Sequence, residues 1–279
     1  MYDLHCHSTA SDGSLTPSAV VQRAAAKGVT TLALTDHDCV TGLAEAGLAA
    51  AAAGITLIPG IELSTTWNRQ CVHVLGLDID PAAPALSQGI VQLKAIRAHR
   101  AREIGRRLAK LGFADAYDCA MALVGTGMIT RPHFARALVQ LGYVVDEKAA
   151  FERYLARGKH AYVSTEWAAM SDAVAWVRQA GGIAVLAHPF RYQLTGTKMQ
   201  ALLEAFIGAG GTAMEVVCGN SNRDDIIRAA QLVRRYGLLA SCGSDFHGPE
   251  QHWIELGRLQ AMPEGLTPVW QDWPVAIAA

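Results

Sequence analysis

The stretch Thr31-Leu32-Ala33-Leu34-Thr35-Asp36-His37-Asp38 carries the reading of the fold. A short apolar run reads as a buried strand, and three metal-capable side chains follow it at once. Chemistry placed just past the C-terminal end of a strand is the habit of α/β barrels. Asp36 or Asp38 could instead cap the next helix. Working outward, the same apolar pattern recurs at Thr56–Ile61, Val72–Leu77, Ile183–Ala187, Ala213–Val217 and Leu238–Ser241, with residues 2–5 as a first strand. Helix-like stretches lie between many of them. Thr16-Pro17 opens one that runs over Ser18–Lys27 and stops at Gly28. Others are Gly42–Ala53, Ser171–Ala180 and Asp224–Tyr236, each with a glycine behind it. Strands and helices alternating at this spacing predict parallel β/α units, about seven of them, and therefore a barrel rather than an open sheet.

One region breaks the rhythm. Residues 92–157 show almost no strand pattern, whereas Ile104, Leu108 and Leu111 follow helical spacing. Further helices are expected over Pro132–Leu141 and Asp146–Leu155. The expected organisation is a barrel domain built from 1–91 and 158–279, interrupted by a helical insertion at 92–157 that acts as a lid. From Met262 onward, Pro263, Pro268 and Pro274 with Trp270 and Trp273 predict an irregular tail packed on the surface.

Composition excludes some classes. Hydrophobic residues make up 51% of the 279 and charged residues 18%, so a large core forms and long disorder is not expected. A formal net charge of −1 argues against a general polyanion binder and leaves only local patches for nucleic acid. The six cysteines form no Cys-x-x-Cys pair, which suits reduced thiols in a cytoplasmic protein. No transmembrane run or leader pattern is expected, nor an obligate protein partner.

The chemistry gathers at strand ends. His5 and His7, spaced i and i+2, share one face of a strand and make two legs of a metal site. Alone, such a pair is weak evidence. Ser11-Asp12-Gly13 follows in the first strand-to-helix loop; by itself it would be an ordinary turn. Glu62 ends an apolar strand, where an acid must be paired, coordinated or exposed. His73 sits in another apolar strand, His188 precedes Pro189, and Asp245 and His247 repeat the i, i+2 spacing. His5, His7, Asp12, His37, Glu62, His73, His188, Asp245 and His247 thus make nine potential ligands at one mouth. At about three or four ligands per ion they suit two or three ions. Mixed nitrogen and oxygen ligation without thiolate suits manganese, zinc or iron better than calcium, and manganese is the ion expected. His160 and His252 read as surface residues, His160 also as a possible substrate contact.

Taken in order, His5-Cys6-His7, Ser11-Asp12-Gly13, Thr35-Asp36-His37-Asp38, Glu62, His73, His188-Pro189 and Ser244-Asp245-Phe246-His247 resemble the PHP (polymerase and histidinol phosphatase) family over almost the whole chain. The resemblance implies a distorted (β/α)7 TIM-like barrel with two or three metals in its mouth. It implies a first ion on His5, His7, Glu62 and Asp245. Glu62 would bridge to a second on His73 and His188, and Asp12, His37 and His247 would hold a third.

The insertion motifs Ile129-Thr130-Arg131-Pro132-His133-Phe134-Ala135-Arg136, Tyr154-Leu155-Ala156-Arg157-Gly158-Lys159 and Ala161-Tyr162-Val163 resemble the stand-alone bacterial members that act on nucleotides. That implies a 3′,5′-nucleoside bisphosphate phosphatase, or alternatively a 5′–3′ exoribonuclease on short RNA. Within 94–110, Lys94, Arg97, Arg100, Arg102, Arg106, Arg107 and Lys110 face one acid, Glu103. Most of them read as a solvated helix face, but some could bind a second phosphate. Asp12, His99, Arg100, Arg102 and Arg131 are the expected substrate contacts, with Phe134 stacking on a base. His37 and His247 are the candidates for passing a proton to the leaving oxygen. A small-metabolite phosphatase would not need the basic lid, and a non-catalytic binding module would not need nine ligands.

Overall fold

The computed structural model describes residues 1–125 and 127–273; Pro274 of the expected tail lies outside them. Eight strands form one sheet: β1 (Tyr2–Asp3), β2 (Thr31–Leu34), β3 (Thr56–Trp67), β4 (Gln70–Leu77), β5 (Ala168–Ala169), β6 (Ile183–Leu186), β7 (Ala213–Cys218) and β8 (Leu239–Gly243). Their order is β1-β2-β3-β4-β6-β7-β8, with the short β5 alongside β3. The two ends of this order meet. The Leu4 amide donates to the Cys242 carbonyl at 3.0 Å, the Asp245 amide to His5 at 2.7 Å and the His7 amide to Phe246 at 2.9 Å. The sheet is a nearly closed barrel, the distorted form that the resemblance implies.

The expectation of uniformly parallel units needs one correction. β4 runs antiparallel to both β3 and β6. Only Asn68 and Arg69 separate β3 from β4, too few for a crossover helix, and both take positive φ (46° and 62°). Two left-handed residues in a row make the type I′ hairpin turn. His73 therefore does not sit at the end of a parallel strand. It lies near the start of an inverted one, paired with Ser64, and the inversion brings it to the same mouth.

Helices α1 (Pro17–Ala26), α2 (Leu43–Ala53), α7 (Met170–Gln179), α8 (Gly196–Gly208) and α9 (Arg223–Tyr236) belong to the barrel part of the chain. Thr16 caps α1 through its side chain, as its position before Pro17 predicts. α8 was not legible as a helix in the sequence reading, although Thr195 caps it in the same manner. The insertion consists of α3 (Pro84–Lys110), α4 (Ala116–Val124), α5 (Arg131–Gln140) and α6 (Glu147–Ala150), the last continued by a π turn over Phe151–Leu155. α3 starts ahead of the expected boundary at 92 and serves two cores. Leu86 and Leu93 pack with the barrel, whereas Ala101, Ile104 and Leu108 join a separate cluster with Leu138, Leu155 and Phe134. The tail is irregular up to Trp273 and stacks Trp270 on Tyr2 at 4.3 Å. Among the described residues, no helix is long and apolar enough to cross a membrane.

Barrel closure leaves no room at Gly243. A Cβ there would lie 2.2 Å from the His5 Cβ and 2.6 Å from its amide nitrogen. Gly243→Ala is expected to destabilise the fold by about 1–3 kcal/mol, the usual cost of overpacking. The check is the midpoint of chemical denaturation, and an unchanged midpoint would show that β1 can move aside.

Candidate metal centre

The strands and the loops that follow them bring all nine expected side chains to one mouth. His5 and His7 follow β1 with no exposed surface, while Cys6 between them points away and donates its thiol to the Ala33 carbonyl. Glu62, within β3, is the hub. Its Oε1 is 2.8 Å from His73 Nδ1 and 2.9 Å from His188 Nε2. Its Oε2 is 2.9 Å from His37 Nδ1, 3.3 Å from His7 and 3.5 Å from His5. Three groups have ligand atoms within 4.8 Å of one another: His5, His7, Glu62 and Asp245; His7, Asp12, His37 and His247; His37, Glu62 and His73. His188 joins through Glu62 alone.

The hydrogen bonds behind the rings say which nitrogen faces inward. His5 Nδ1–H donates to Glu215 Oε1 at 2.8 Å, and His247 Nδ1–H donates to the Asp245 carbonyl at 2.9 Å. Each bond leaves Nε2 as the ring nitrogen free to coordinate. The inward nitrogens of His5 and His7 stand only 3.2 Å apart, and Asp245 Oδ1 lies 3.1 Å from the second. His37 Nδ1 and His188 Nδ1 are buried without a hydrogen bond, although the first is close to Glu62. Such convergence calls for a positive charge between the groups, either protons or metal ions.

Protonation follows the same geometry. Burial alone would raise the three carboxyl groups. His37 and His247 hold Asp12 well below the usual range, His73 and His37 do so for Glu62, and Arg191 and His5 for Asp245. Burial opposes charging of His7, but bonds to Asp245 and Glu62 overcome it and lift His7 to about 9. Burial wins at His37 and His188, which are lowered. The ligand set is thus ionised carboxylates with aimed imidazoles, the donors that manganese, zinc and iron take. Asp38, His188 and Asp245 adopt positive φ (51°, 26° and 55°), a backbone strain of about 1–3 kcal/mol each that places these loops.

Several supporting residues escaped the sequence reading. Glu215 also accepts the His188 amide, so one buried acid orients two ligand positions. It lies inside the apolar run Ala213–Val217, and the argument that singled out Glu62 applies to it equally. Asp36 does not face the cluster; it accepts hydrogen bonds from Ser8 and Ser11. Asp38 pairs with the buried Arg97 at 2.6 Å and accepts the Ser64 amide. The Tyr192 hydroxyl accepts the His73 amide and donates to Ala187. Arg191 pairs with Asp245.

A cavity of about 120 Å³ adjoins the cluster and shares Asp12, His37 and His73 with it. Arg69, Arg97, Arg100 and Arg131 line it together with Thr130, Tyr162 and Trp167. Burial and the neighbouring Arg131 and Arg97 pull the Arg100 guanidinium down to about 9, and its Nε has no partner. Of the expected substrate contacts, Asp12, Arg100 and Arg131 therefore line the site. His99 and Arg102 are exposed on α3 and are not among the residues lining it. Phe134 needs correction: at 1% exposure it is the centre of the insertion core and has no face to offer a base. Arg106 and Arg107 pair with Glu103, as a solvated helix face does. His160 and His252 are exposed.

A nearly closed barrel with this mouth defines a metal-dependent hydrolase. The chain belongs to the PHP domain family, whose model matches residues 3–154. It is 46% identical over 271 residues to the 3′,5′-nucleoside bisphosphate phosphatase of Chromobacterium violaceum, covering 97% of this chain and 95% of that one. It is 45% identical over 270 residues to a 5′–3′ exoribonuclease of Haemophilus influenzae, covering 97% and 98%. Its fold matches the solved structure of an amidohydrolase from Chromobacterium violaceum with bound sulfate and no metal, at a TM-score of 0.91 and 46% identity over 97% of this chain and 94% of that one.

Two outcomes follow. Glu215→Gln puts an amide donor against a ring N–H or a backbone N–H, and is expected to weaken metal binding about 10–100-fold with the fold intact. Titration calorimetry with circular dichroism checks it; unchanged affinity would remove Glu215 from the support of the site. Second, His7 near 9 holds a proton at neutral pH that an incoming cation must displace. Affinity is then expected to rise at least about tenfold per pH unit toward pH 9, one proton coming from His7 and more from His5 and His73, which their acidic neighbours also raise. A flat profile between pH 6 and about 8 would contradict the proton count.

Proposed function

We propose that this protein is a phosphatase that removes the 3′-phosphate from nucleoside 3′,5′-bisphosphates, leaving the 5′-monophosphate. The observation that carries the reading is the arginine-lined cavity beside the metal cluster. Arg69, Arg100 and Arg131 line it beside His37 and His73, and guanidinium groups bind phosphate bidentately. A substrate with two phosphates about one ribose apart would fill the cluster and the cavity together. The relative in Chromobacterium violaceum carries this activity in its name.

His5, His7, Glu62 and Asp245 would hold one ion, Glu62, His73 and His188 a second, and Asp12, His37 and His247 a third; manganese is the ion we propose. Bound there, the ions would supply an activated water and offset charge developing on the phosphoryl oxygens. Arg100 and Arg131 would grip the 5′-phosphate, and Trp167 lies under the Arg97 and Arg100 guanidinium groups at 5.0 and 5.3 Å, holding that side of the cavity. Where the third ion is not bound, His37 and His247 beside Asp12 would be the groups to pass a proton to the departing 3′ oxygen. The six unpaired thiols suit a reducing cytoplasm, the compartment we propose.

A second reading is favoured by the chemistry of the bond. Removing the first nucleotide from a 5′-phosphorylated RNA breaks the same P–O3′ bond, and the departing group again carries a 5′-phosphate. The exoribonuclease name of the Haemophilus influenzae relative is compatible with the same site.

Phosphate release from a nucleoside 3′,5′-bisphosphate by the manganese-loaded protein tests the reading, with chelation expected to abolish it. Arg131→Ala is expected to raise KM for the bisphosphate about 10–100-fold, the range for a lost hydrogen bond to a charged group. The same change is expected to leave a nucleoside 3′-monophosphate unaffected. An equal loss on both substrates would place Arg131 outside the 5′-phosphate site.

A further inference from the structure

A second opening leaves the cluster and meets the arginine cavity at Asp12 and Pro132. It begins at Asp12, Asp245 and His247 and runs out between α5, α6 and the loop after β8. Its volume is about 1130 Å³, roughly nine times that of the arginine cavity. That exceeds the ~300–1,000 Å³ typical of pockets for a single small ligand. Trp253 and Val145 line its outer part and are 67% and 83% exposed, and Phe151 and Ile254 add apolar wall. Exposed large apolar side chains lining an opening that leads to a reactive centre mark a contact surface. The charges along it are mixed, Arg136 and Lys148 against Asp146, Glu147 and Glu250. Ring contact, rather than net attraction for a polyanion, is the interaction it offers.

We infer that this groove is the subsite for the nucleotide on the 3′ side of the scissile phosphate, with its base stacked on Trp253. The inference rests on the proposed placement of the 5′-phosphate among the arginines and of the reacting phosphate at the cluster. In a bisphosphate, the reacting phosphorus carries only terminal oxygens besides O3′. In an RNA, one of those oxygens continues into the next nucleoside, which needs a way out of the mouth. Water adds to phosphorus, the P–O3′ bond breaks, and O3′ leaves with the electron pair and takes up a proton. The products are a nucleoside 5′-monophosphate and an RNA one nucleotide shorter, which keeps the phosphate on its new 5′ end. That end has the same chemistry as the one just consumed, so it can enter the arginine cavity in turn. Trp253 would thereby set how well a diester competes with a monoester at one centre.

The test compares Trp253→Ala, Trp253→Phe and the parent protein, all manganese-loaded, on a 5′-phosphorylated trinucleotide and on a nucleoside 3′,5′-bisphosphate. Loss of base stacking is expected to lower kcat/KM for the trinucleotide about tenfold through KM, with the bisphosphate within twofold of the parent and Phe restoring most of the loss. Trp253 is exposed, so its removal leaves the core intact, and thermal melting verifies this for each variant. An equal fall on both substrates would overturn the inference and assign the groove to the first base. No fall on either, or a parent protein that cleaves the bisphosphate but no trinucleotide, would overturn it as well. A parent protein that cleaves the trinucleotide in a Trp253-dependent manner but releases nothing from the bisphosphate would overturn the phosphatase reading and leave the groove assigned.

Discussion

Glu62 is 1% exposed, ionised, and within 3.5 Å of five imidazole rings. A carboxylate so deep in a protein needs compensating charge, because burial without it costs several kcal/mol. The rest of the mouth is arranged around that requirement. Asp12 and Asp245 add two more negative groups instead of balancing it, and the histidines can balance all three only by taking up protons. Divalent ions satisfy the same groups with more charge per site and leave the net positive field that a phosphate ester needs.

The barrel exists in a form that delivers these side chains. Closure between β1 and β8 sets His5 beside Asp245, with Gly243 allowing the approach. Inversion of β4 pairs His73 with Ser64 of β3 and brings its ring to Glu62 at the mouth. Glu215 holds His5 by its ring and His188 by its backbone, so the orientation of two ligands depends on one acid. The insertion then adds its own core and lines both openings, with Arg100 and Arg131 in the arginine cavity, Val145 and Phe151 in the groove, and Arg131 over the Phe151 ring at 5.9 Å. The barrel carries the buried cluster, and residues of the insertion line the two openings beside it.

Much of this was legible in the residues. The alternation of short apolar runs and capped helices pointed to a barrel, and His5, His7, His37, Asp245 and His247 stand where the strand ends place them. What escaped has physical reasons. The direction of β4 depends on a turn whose residues, Asn68 and Arg69, lack the usual glycine, and the expected strands ending at Ile61 and starting at Val72 hid how short that turn is. Glu215 was passed over because it interrupts an apolar run instead of ending one, although its burial carries the same need for a partner that marks Glu62. Phe134 was misplaced because an aromatic next to a basic motif reads alike whether it faces a ligand or a core; only the packing of α4 against α5 decides. Trp253, conversely, lies in a loop with no periodicity to mark its exposure.

The central claim is that the buried cluster is a multi-ion centre organised on Glu62. Elemental analysis of the desalted protein after manganese loading, beside a Glu62→Gln variant of equal thermal stability, tests it most directly. Two or three ions per chain in the parent, falling to at most one in the variant, is the predicted result, on about three or four ligands per ion. Less than one ion per chain in the parent, or the same number in both proteins, would contradict it.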